Sequence, residues 1–579
     1  MDEIKQGMRR RLTRYGDDEF ALFLRKSFIK GLGYGDAALD KPVIGIINTA
    51  SDFNSCHGNV DELVQSAKDG VLAAGALPLA FPTISLHESF AYPTSMYLRN
   101  LMAMDTEEMM KALPLDGCIL VGGCDKTVPA QIMGALSARL PFIQLVSGPM
   151  LTGSFFGERV GACTDCRRLW AQYRAGDLDD AGIAEANNQL VPTIGTCGVM
   201  GTASTMALIT ETLGLMVPGG ACAPAVSADR RRIAEATGHM AVEMAARQFA
   251  PSSFLSAGSF ENAMRVLLAV GGSTNAIVHL AAMAGRMGIA LDLDRLDALG
   301  RDTPVIVDLK PSGDGYMEDL HKAGGLVRIL HEIRDLLDET ALTVSGETLG
   351  AVIDRTYRDW PQHVVRPRHD PIFASGGLAV VRGNLAPDGA VIKQSAANPA
   401  LLQHTGRAVV FDGLGDLAAR IDRDDLDVTE TDILVLRFIG PKGAPGMPEA
   451  GLIPIPEKLA RQGVKDMVRI SDGRMSGTAA GTIILHVAPE AAIGGPLALV
   501  ETGDQICLDA ANRRLDLLVP DDELARRAAA FRAPITAPQR GYGKLFHDHV
   551  LQAQDGVDFD FLQDLETPCY HDGTGDAKC

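Results

Sequence analysis

The apolar run Cys118-Ile119-Leu120-Val121 leads directly into Gly122-Gly123-Cys124-Asp125-Lys126-Thr127, and a helix opens near Pro129. A short apolar run bounded by glycines reads as a strand buried on both faces, the kind that belongs to a parallel sheet covered by helices. Its glycines deliver a thiol, a carboxylate and an amine to one loop. The unit recurs. Val43-Ile44-Gly45-Ile46-Ile47-Asn48 is a buried-type strand, followed by a loop carrying Cys56 and a helix over about 60–74. That helix has Asn59 as its cap with Glu62 three residues on, apolar positions Val60, Leu63, Val64, Ala67 and Val71, and Gly75 as its stop. A strand over 142–146 and a helix over about 203–216, just after Cys197, continue the alternation. It predicts the α/β class: an N-terminal α/β/α domain over residues 1–370, built on a parallel sheet. Ligands of such sheets gather at the carboxyl ends of the strands, where the Cys124 loop falls.

Between residues 360 and 377 the texture changes to a proline-rich linker. Beyond it come short strands at Leu378 to Val381, Ala408 to Phe411 and Ile433 to Phe438, and a hairpin pairing 505–509 with 514–519. Residues 371–579 therefore read as a smaller β-rich, barrel-like domain with one late helix over about 522–531.

The net charge of −19 over 579 residues argues against a nucleic-acid surface, and an anionic substrate would need local cations or a metal. Met1 to Phe20 lacks the apolar core of a signal peptide. The best candidate span, Thr482 to Val500, is broken by His486, Pro489, Glu490 and Pro496, so no membrane partner is expected. Ten cysteines in a chain of this length are not a disulfide framework, and a reducing, cytoplasmic location is the expectation.

Common nucleotide motifs are absent. Gly31-Leu32-Gly33-Tyr34-Gly35 lacks the preceding strand that a dinucleotide fingerprint needs. Cys163-Thr164-Asp165-Cys166 has zinc or redox spacing, but with no second pair to match it reads as two reduced thiols. What remains is a set of polar, glycine-rich loops carrying Cys56, Glu88, Cys124, Asp125, Lys126, Cys197, Glu449 and Ser476. Three thiolates can hold an iron–sulfur cluster with one iron under-ligated, whereas a structural cluster takes four protein ligands. An open iron is a Lewis acid. The carboxylates of Glu88, Asp125 and Glu449 suit magnesium, which prefers oxygen ligands. Spacing alone does not establish that these loops converge, and it leaves Cys163 and Cys222 open as ligands. Taken by itself, Ser476 reads first as a cap at a turn.

At these loops the sequence resembles the dihydroxy-acid and phosphogluconate dehydratase family, whose members remove water from 2,3-dihydroxy acids. The resemblance is carried by Gly123-Cys124-Asp125-Lys126-Thr127 with Pro129, Ser147-Gly148-Pro149-Met150 and Gly201-Thr202-Ala203-Ser204-Thr205-Met206. It continues through Gly271-Gly272-Ser273-Thr274-Asn275-Ala276, Gly440-Pro441-Lys442-Gly443, Gly446-Met447-Pro448-Glu449 and Ser471-Asp472-Gly473-Arg474-Met475-Ser476-Gly477.

The resemblance implies an active site between an N-terminal α/β domain and a C-terminal β-barrel domain, in a homodimer or homotetramer. It implies a [2Fe–2S] cluster, with [4Fe–4S] as the alternative, on Cys56, Cys124 and Cys197. It implies Mg2+ on Glu88, Asp125, Glu449 and a carbamylated Lys126, and Ser476 as the general base, acting as an alkoxide. The ending, from Gly541-Tyr542-Gly543-Lys544 through Gly556-Val557-Asp558-Phe559, looks like the sugar-acid branch, so the expected substrate is an aldonate such as arabinonate, xylonate or gluconate. The alternative is a branched-chain dihydroxy acid.

Two segments depart from the family pattern: Ser55-Cys56-His57-Gly58-Asn59, and the paired cysteines at 163 and 166. The glycine- and aspartate-rich tail from His571 to Cys579 reads either as disordered or as folding into the site. Two readings from other classes remain: a non-catalytic iron–sulfur protein, against which Ser476 and the magnesium set speak, and a zinc lyase using Cys124 with His57 and Cys163.

Overall fold

The computed structural model describes residues 6–534 and 537–563, with the backbone of a two-residue ladder at 570–571 and 577–578. The two fates expected for the tail turn on residues that lie outside the described ones. The N-terminal sheet has four strands, β1 (Val43–Asn48), β2 (Leu77–Pro82), β3 (Gly117–Val121) and β4 (Phe142–Leu145), in the order β2-β1-β3-β4. All neighbours are parallel, with Ile46 opposite Ala80 on one side and Ile119 on the other. Every residue of β3 is buried, as the uninterrupted apolar run requires.

Helices Val60–Ala73, Ser95–Ala112 and Thr127–Ala138 connect the strands, and Ala228–Ala246 packs along the first of them. The expected α/β architecture is present, and the element ends differ in instructive ways. The Asn59 side chain makes no cap bond to its helix. Its amide instead donates to the carbonyls of Ser147 and Ala225, at 2.9 and 3.0 Å, so the residue ties two loops together rather than capping. The helix after Cys197 runs over Thr202–Thr212, shorter than its apolar periodicity, because Gly214 takes a φ of +73°.

The C-terminal region is a closed eight-stranded barrel. Around it run Ile433–Arg437, Arg469–Ser471, Ile483–Ala488, Ala386–Ile392, Ala379–Gly383, Arg514–Leu517, Gln505–Asp509 and Gln403–Asp412. Closure leaves no strand edge exposed to unwanted pairing. The hairpin and the late helix, observed at Asp521–Ala530, are where the sequence places them. A further helix, Gly541–His549, was not anticipated. It carries Phe546 into an apolar cluster with Met96 and Val278 of the N-terminal domain and Met447 of a barrel loop. Among the described residues no helix is long and apolar enough to cross a membrane.

Candidate active site

Each strand of the parallel sheet sends one piece of the site past its carboxyl end. After β1, Cys56 and His57 lie buried in the turn Ser55–His57. After β2 come His87 and Glu88. After β3 come Cys124, Asp125 and Lys126, with Lys126 at the cap position of the helix Thr127–Ala138. Cys124 and Asp125 thus sit just before a helix N-terminus. Past β4, the Gly148 carbonyl accepts from the Thr196 amide at 2.9 Å, and this brings in the Cys197 loop. Gly123 lets the loops meet: a Cβ there would lie 1.8 Å from Ser147 Oγ.

His57 fixes the central loop. Its Nε2 accepts from the amides of Gly123 and Cys124, at 3.0 and 3.1 Å, while Nδ1 donates to the Thr49 carbonyl at 2.8 Å. Burial lowers its pKa to about 4, so the ring is neutral. Neither nitrogen is left for a metal, which removes His57 from the zinc-lyase reading.

Two donor sets stand side by side. Thiol sulfurs of Cys56 and Cys124 and a nitrogen of His87 lie within 4.8 Å of one another. Cys197 Sγ lies 3.7 Å from Cys163 Sγ. The hydrogen-bonded Cys124 sulfur, burial and the nearby acidic groups push the Cys56 thiol well up. The hydrogen bond with Cys163 and burial do the same for Cys197. These thiols ionise easily only if a soft cation joins them, so the donor chemistry fits an iron–sulfur group.

The second set is oxygen-rich, with carboxylate oxygens of Glu88, Asp125 and Glu449 within 4.8 Å of one another. Cys124 Sγ is 3.6 Å from Asp125 Oδ1, so the two sets share one loop. The fully buried Lys126 ammonium sits among the carboxylates, 2.6 Å from Asp125, 3.0 Å from Glu449 and 3.3 Å from Glu88. Burial alone would lower its pKa, but the three carboxylates outweigh it and raise the value. Burial also opposes ionisation of Glu88, yet Lys126 and Arg474 bring its pKa down to about 2, helped by donors from Ser95 and Thr94. Burial keeps Asp125 above its ordinary value. Oxygens gathered on a cation fit magnesium. An ammonium has no lone pair to offer the metal, whereas a carbamate on the same nitrogen would supply an anionic oxygen.

The barrel closes the site from the other side. Glu449 Oε1 accepts from Arg474 at 3.0 Å and from Asn275 at 2.9 Å, and Asn275 also donates to the Met475 carbonyl at 3.2 Å. Ser476 follows, half-buried, with its Oγ 2.8 Å from Thr478 Oγ1. Gly477 is needed there, because a Cβ would fall 2.5 Å from Ser273 Oγ.

Of the residues singled out from sequence, Glu88, Asp125, Lys126 and Glu449 are in direct contact, and Cys56 pairs with Cys124. Cys197 pairs with Cys163, and Ser476 lies on the adjoining barrel loop. Cys222 is buried elsewhere, beside Gly325. Sequence reasoning gave no role to Arg474 or Asn275, although both stand inside quoted motifs, nor to Lys393, which ends an apolar strand and donates to the Gly477 carbonyl at 3.2 Å.

Comparison with known proteins shows the family. The N-terminal domain of the dihydroxy-acid/6-phosphogluconate dehydratases matches residues 41–352, and their C-terminal domain matches residues 363–557. An L-arabinonate dehydratase of Rhizobium leguminosarum bv. trifolii (strain WSM2304) is 47% identical over 552 residues, covering 95% of each chain. An L-arabonate dehydratase of Azospirillum brasilense is 45% identical, covering 95% of this chain and 96% of its own. A 6-deoxy-6-sulfo-D-gluconate dehydratase of Pseudomonas putida is 43% identical, covering 95% of both. With both domains matched, and with relatives of this identity along nearly the whole length, the chain belongs to the dihydroxy-acid/6-phosphogluconate dehydratase family.

Proposed function

We propose that this protein is a sugar-acid dehydratase, a hydro-lyase that removes water from a 2,3-dihydroxy aldonate to give a 2-keto-3-deoxy acid. The observation that carries the reading is the loop Cys124-Asp125-Lys126, which puts a thiol set and a carboxylate set on one turn and meets the barrel loop of Ser476 through Glu449 and Arg474. The similarity to the arabinonate and sulfogluconate dehydratases supports an aldonate as substrate.

In this reading Cys56, Cys124 and Cys197 hold a [2Fe–2S] cluster, and Glu88, Asp125, Glu449 and carbamylated Lys126 hold Mg2+. When bound, these groups supply Lewis acids at the two ends of the reaction, the departing C3 hydroxyl and the substrate carboxylate with its C2 hydroxyl. Ser476 takes the proton from C2. Thr478 supports that role, because its amide donates to the serine oxygen at 3.4 Å and its hydroxyl, 2.8 Å away, would donate to an alkoxide there. Arg474 donates to Glu449 at 3.0 Å and is itself held by the Met447 and Gly446 carbonyls and the Thr94 hydroxyl, so it fixes where that carboxylate sits. Loss of the C2 proton and the C3 hydroxyl leaves an enol that tautomerises to the keto acid. Assembly as a homodimer or homotetramer in the cytoplasm belongs to the same reading, and light-scattering mass checks the assembly.

The test is an anaerobic assay of 2-keto acid formation by protein reconstituted with iron, sulfide and Mg2+. C5 and C6 aldonates are expected to turn over. Turnover of 2,3-dihydroxyisovalerate far above every aldonate would move the protein to the branched-chain reaction.

A further inference from the structure

We propose that Cys163 is a fourth thiol ligand of the iron–sulfur centre, pairing with Cys197 and closing the position that a three-cysteine site would leave open. The inference rests on the cluster reading above and adds a residue to it. Two thiolates on one tetrahedral metal, with bonds of about 2.3 Å, stand about 3.8 Å apart. Cys163 Sγ and Cys197 Sγ are 3.7 Å apart. Cys56 and Cys124 make a second pair, with sulfurs within 4.8 Å. Two pairs of thiols are what a fully ligated two-iron cluster takes, and three leave one iron short.

The turn that presents Cys163 is built rather than loose. The Gly161 amide donates to Asp165 at 2.9 Å, and the buried Asp165 carboxylate also accepts from Lys310 at 2.9 Å and from the Tyr316 hydroxyl at 2.8 Å. Next to Cys163, Thr164 Oγ1 donates to the Thr478 carbonyl at 2.9 Å. That bond joins the cysteine turn to the loop of Ser476. His87 is the competing donor, beside the Cys56 and Cys124 pair.

A closed resting site has a consequence for entry. The substrate hydroxyl must displace Cys163: the iron–sulfur bond to Cys163 breaks, a bond to oxygen forms, and the freed thiolate takes a proton from solvent. The exchange moves no electrons.

Mössbauer and electron paramagnetic spectra of the full-length, anaerobically reconstituted protein test this, with iron and sulfide counted in each sample. The wild type is expected to show two irons that both have all-sulfur tetrahedral parameters. Cys163→Ser and Cys163→Ala should keep the iron count while one iron shifts toward oxygen ligation, and azide should perturb that iron at lower concentration than in the wild type. Cys166→Ser should match the wild type. A wild-type spectrum with one iron already in mixed ligation overturns the proposal without any variant. So does an unchanged spectrum in Cys163→Ser, or a shift produced by His87→Gln and not by Cys163→Ser. A wild type that takes up no cluster removes the underlying reading as well, so the two failures are distinct.

Discussion

Lys393 is buried at the end of an apolar strand, and its hydrogen bond among the described residues goes to the Gly477 carbonyl. With no carboxylate beside it among the described residues, burial lowers its pKa to about 7. Below that value folded and unfolded chains both hold the proton, and the full cost of burying the charge is present. Between about 7 and the ordinary lysine value the unfolded chain keeps a proton that the folded chain has released, so stability rises with pH. Lys393→Met should therefore be more stable than the wild type near pH 6, by roughly 4 kcal/mol, with the advantage fading toward pH 10. Urea unfolding at the two pH values checks it, and an advantage independent of pH would mean that the ammonium is not what is being removed. Ser476, one residue from Gly477, is the opposite case. Its side-chain oxygen has only local contacts, with the Thr478 hydroxyl and amide, so Ser476→Ala should leave the fold and any cluster absorption intact. Turnover should fall about a thousandfold or more, the upper part of what one general base supplies. Near-normal turnover in that variant would transfer the proton abstraction to another group.

At the scale of elements, the loop after β3 shows what is legible in sequence and what is not. An apolar run, two glycines and the helix that follows are local signals, and they placed Cys124, Asp125 and Lys126 together within a residue of where they lie. The carboxylates of Glu88, Asp125 and Glu449 could be named from their polar loops, but not their convergence, because Glu449 meets Lys126 across 323 positions of chain. The pairing of Cys163 with Cys197 had no such signal: it depends on Asp165, Lys310 and Tyr316 meeting from distant segments. Asn59 misled because its composition suits a cap while tertiary partners claim its amide. His57 was read as a possible ligand because its role, accepting two backbone amides, is invisible in one dimension. That role carries a pH signature. Its pKa is lowered from 6.5 to about 4, so between those values the unfolded chain binds a proton that the folded chain refuses, and stability falls as pH falls. The loss attributable to His57 is about 3 kcal/mol. His57→Gln should start less stable at neutral pH and lose less on acidification. Parallel stability curves for the two proteins between pH 6.5 and 4 would reassign the acid sensitivity to other buried groups.

For the whole molecule, the segment after the barrel ties the C-terminal region back onto the N-terminal one. Helix Gly541–His549 and the chain up to Leu562 turn back onto the N-terminal domain. Tyr542 donates to the Tyr97 carbonyl at 2.8 Å, and Arg99 and Asn100 donate to the Val557 carbonyl at 3.0 and 2.9 Å. Arg286 grips Asp558 with two nitrogens, at 2.6 and 3.1 Å, and neither side chain is exposed. Arg99 and Asn100 lie on the helix Ser95–Ala112, Arg286 reaches Glu107 of the same helix at 3.5 Å, and the first residue of that helix, with Thr94, holds the Glu88 carboxylate. Loosening the clamp is therefore expected to loosen the hold on Glu88. Removing one partner of a buried, bidentate pair strands the other charge, so Asp558→Ala should cost about 3–5 kcal/mol, whereas replacing both partners by apolar side chains of similar volume should restore much of that. The expected pattern is a large drop in unfolding midpoint for Asp558→Ala, a smaller drop for Arg286→Met paired with Asp558→Leu, and reduced Mg2+ affinity that follows the midpoint across the series. Such a pattern would make the closing segment a brace for Glu88. A series in which the midpoints fall while Mg2+ affinity stays constant would confine the clamp to stability and leave the helix Ser95–Ala112 to position Glu88 unaided.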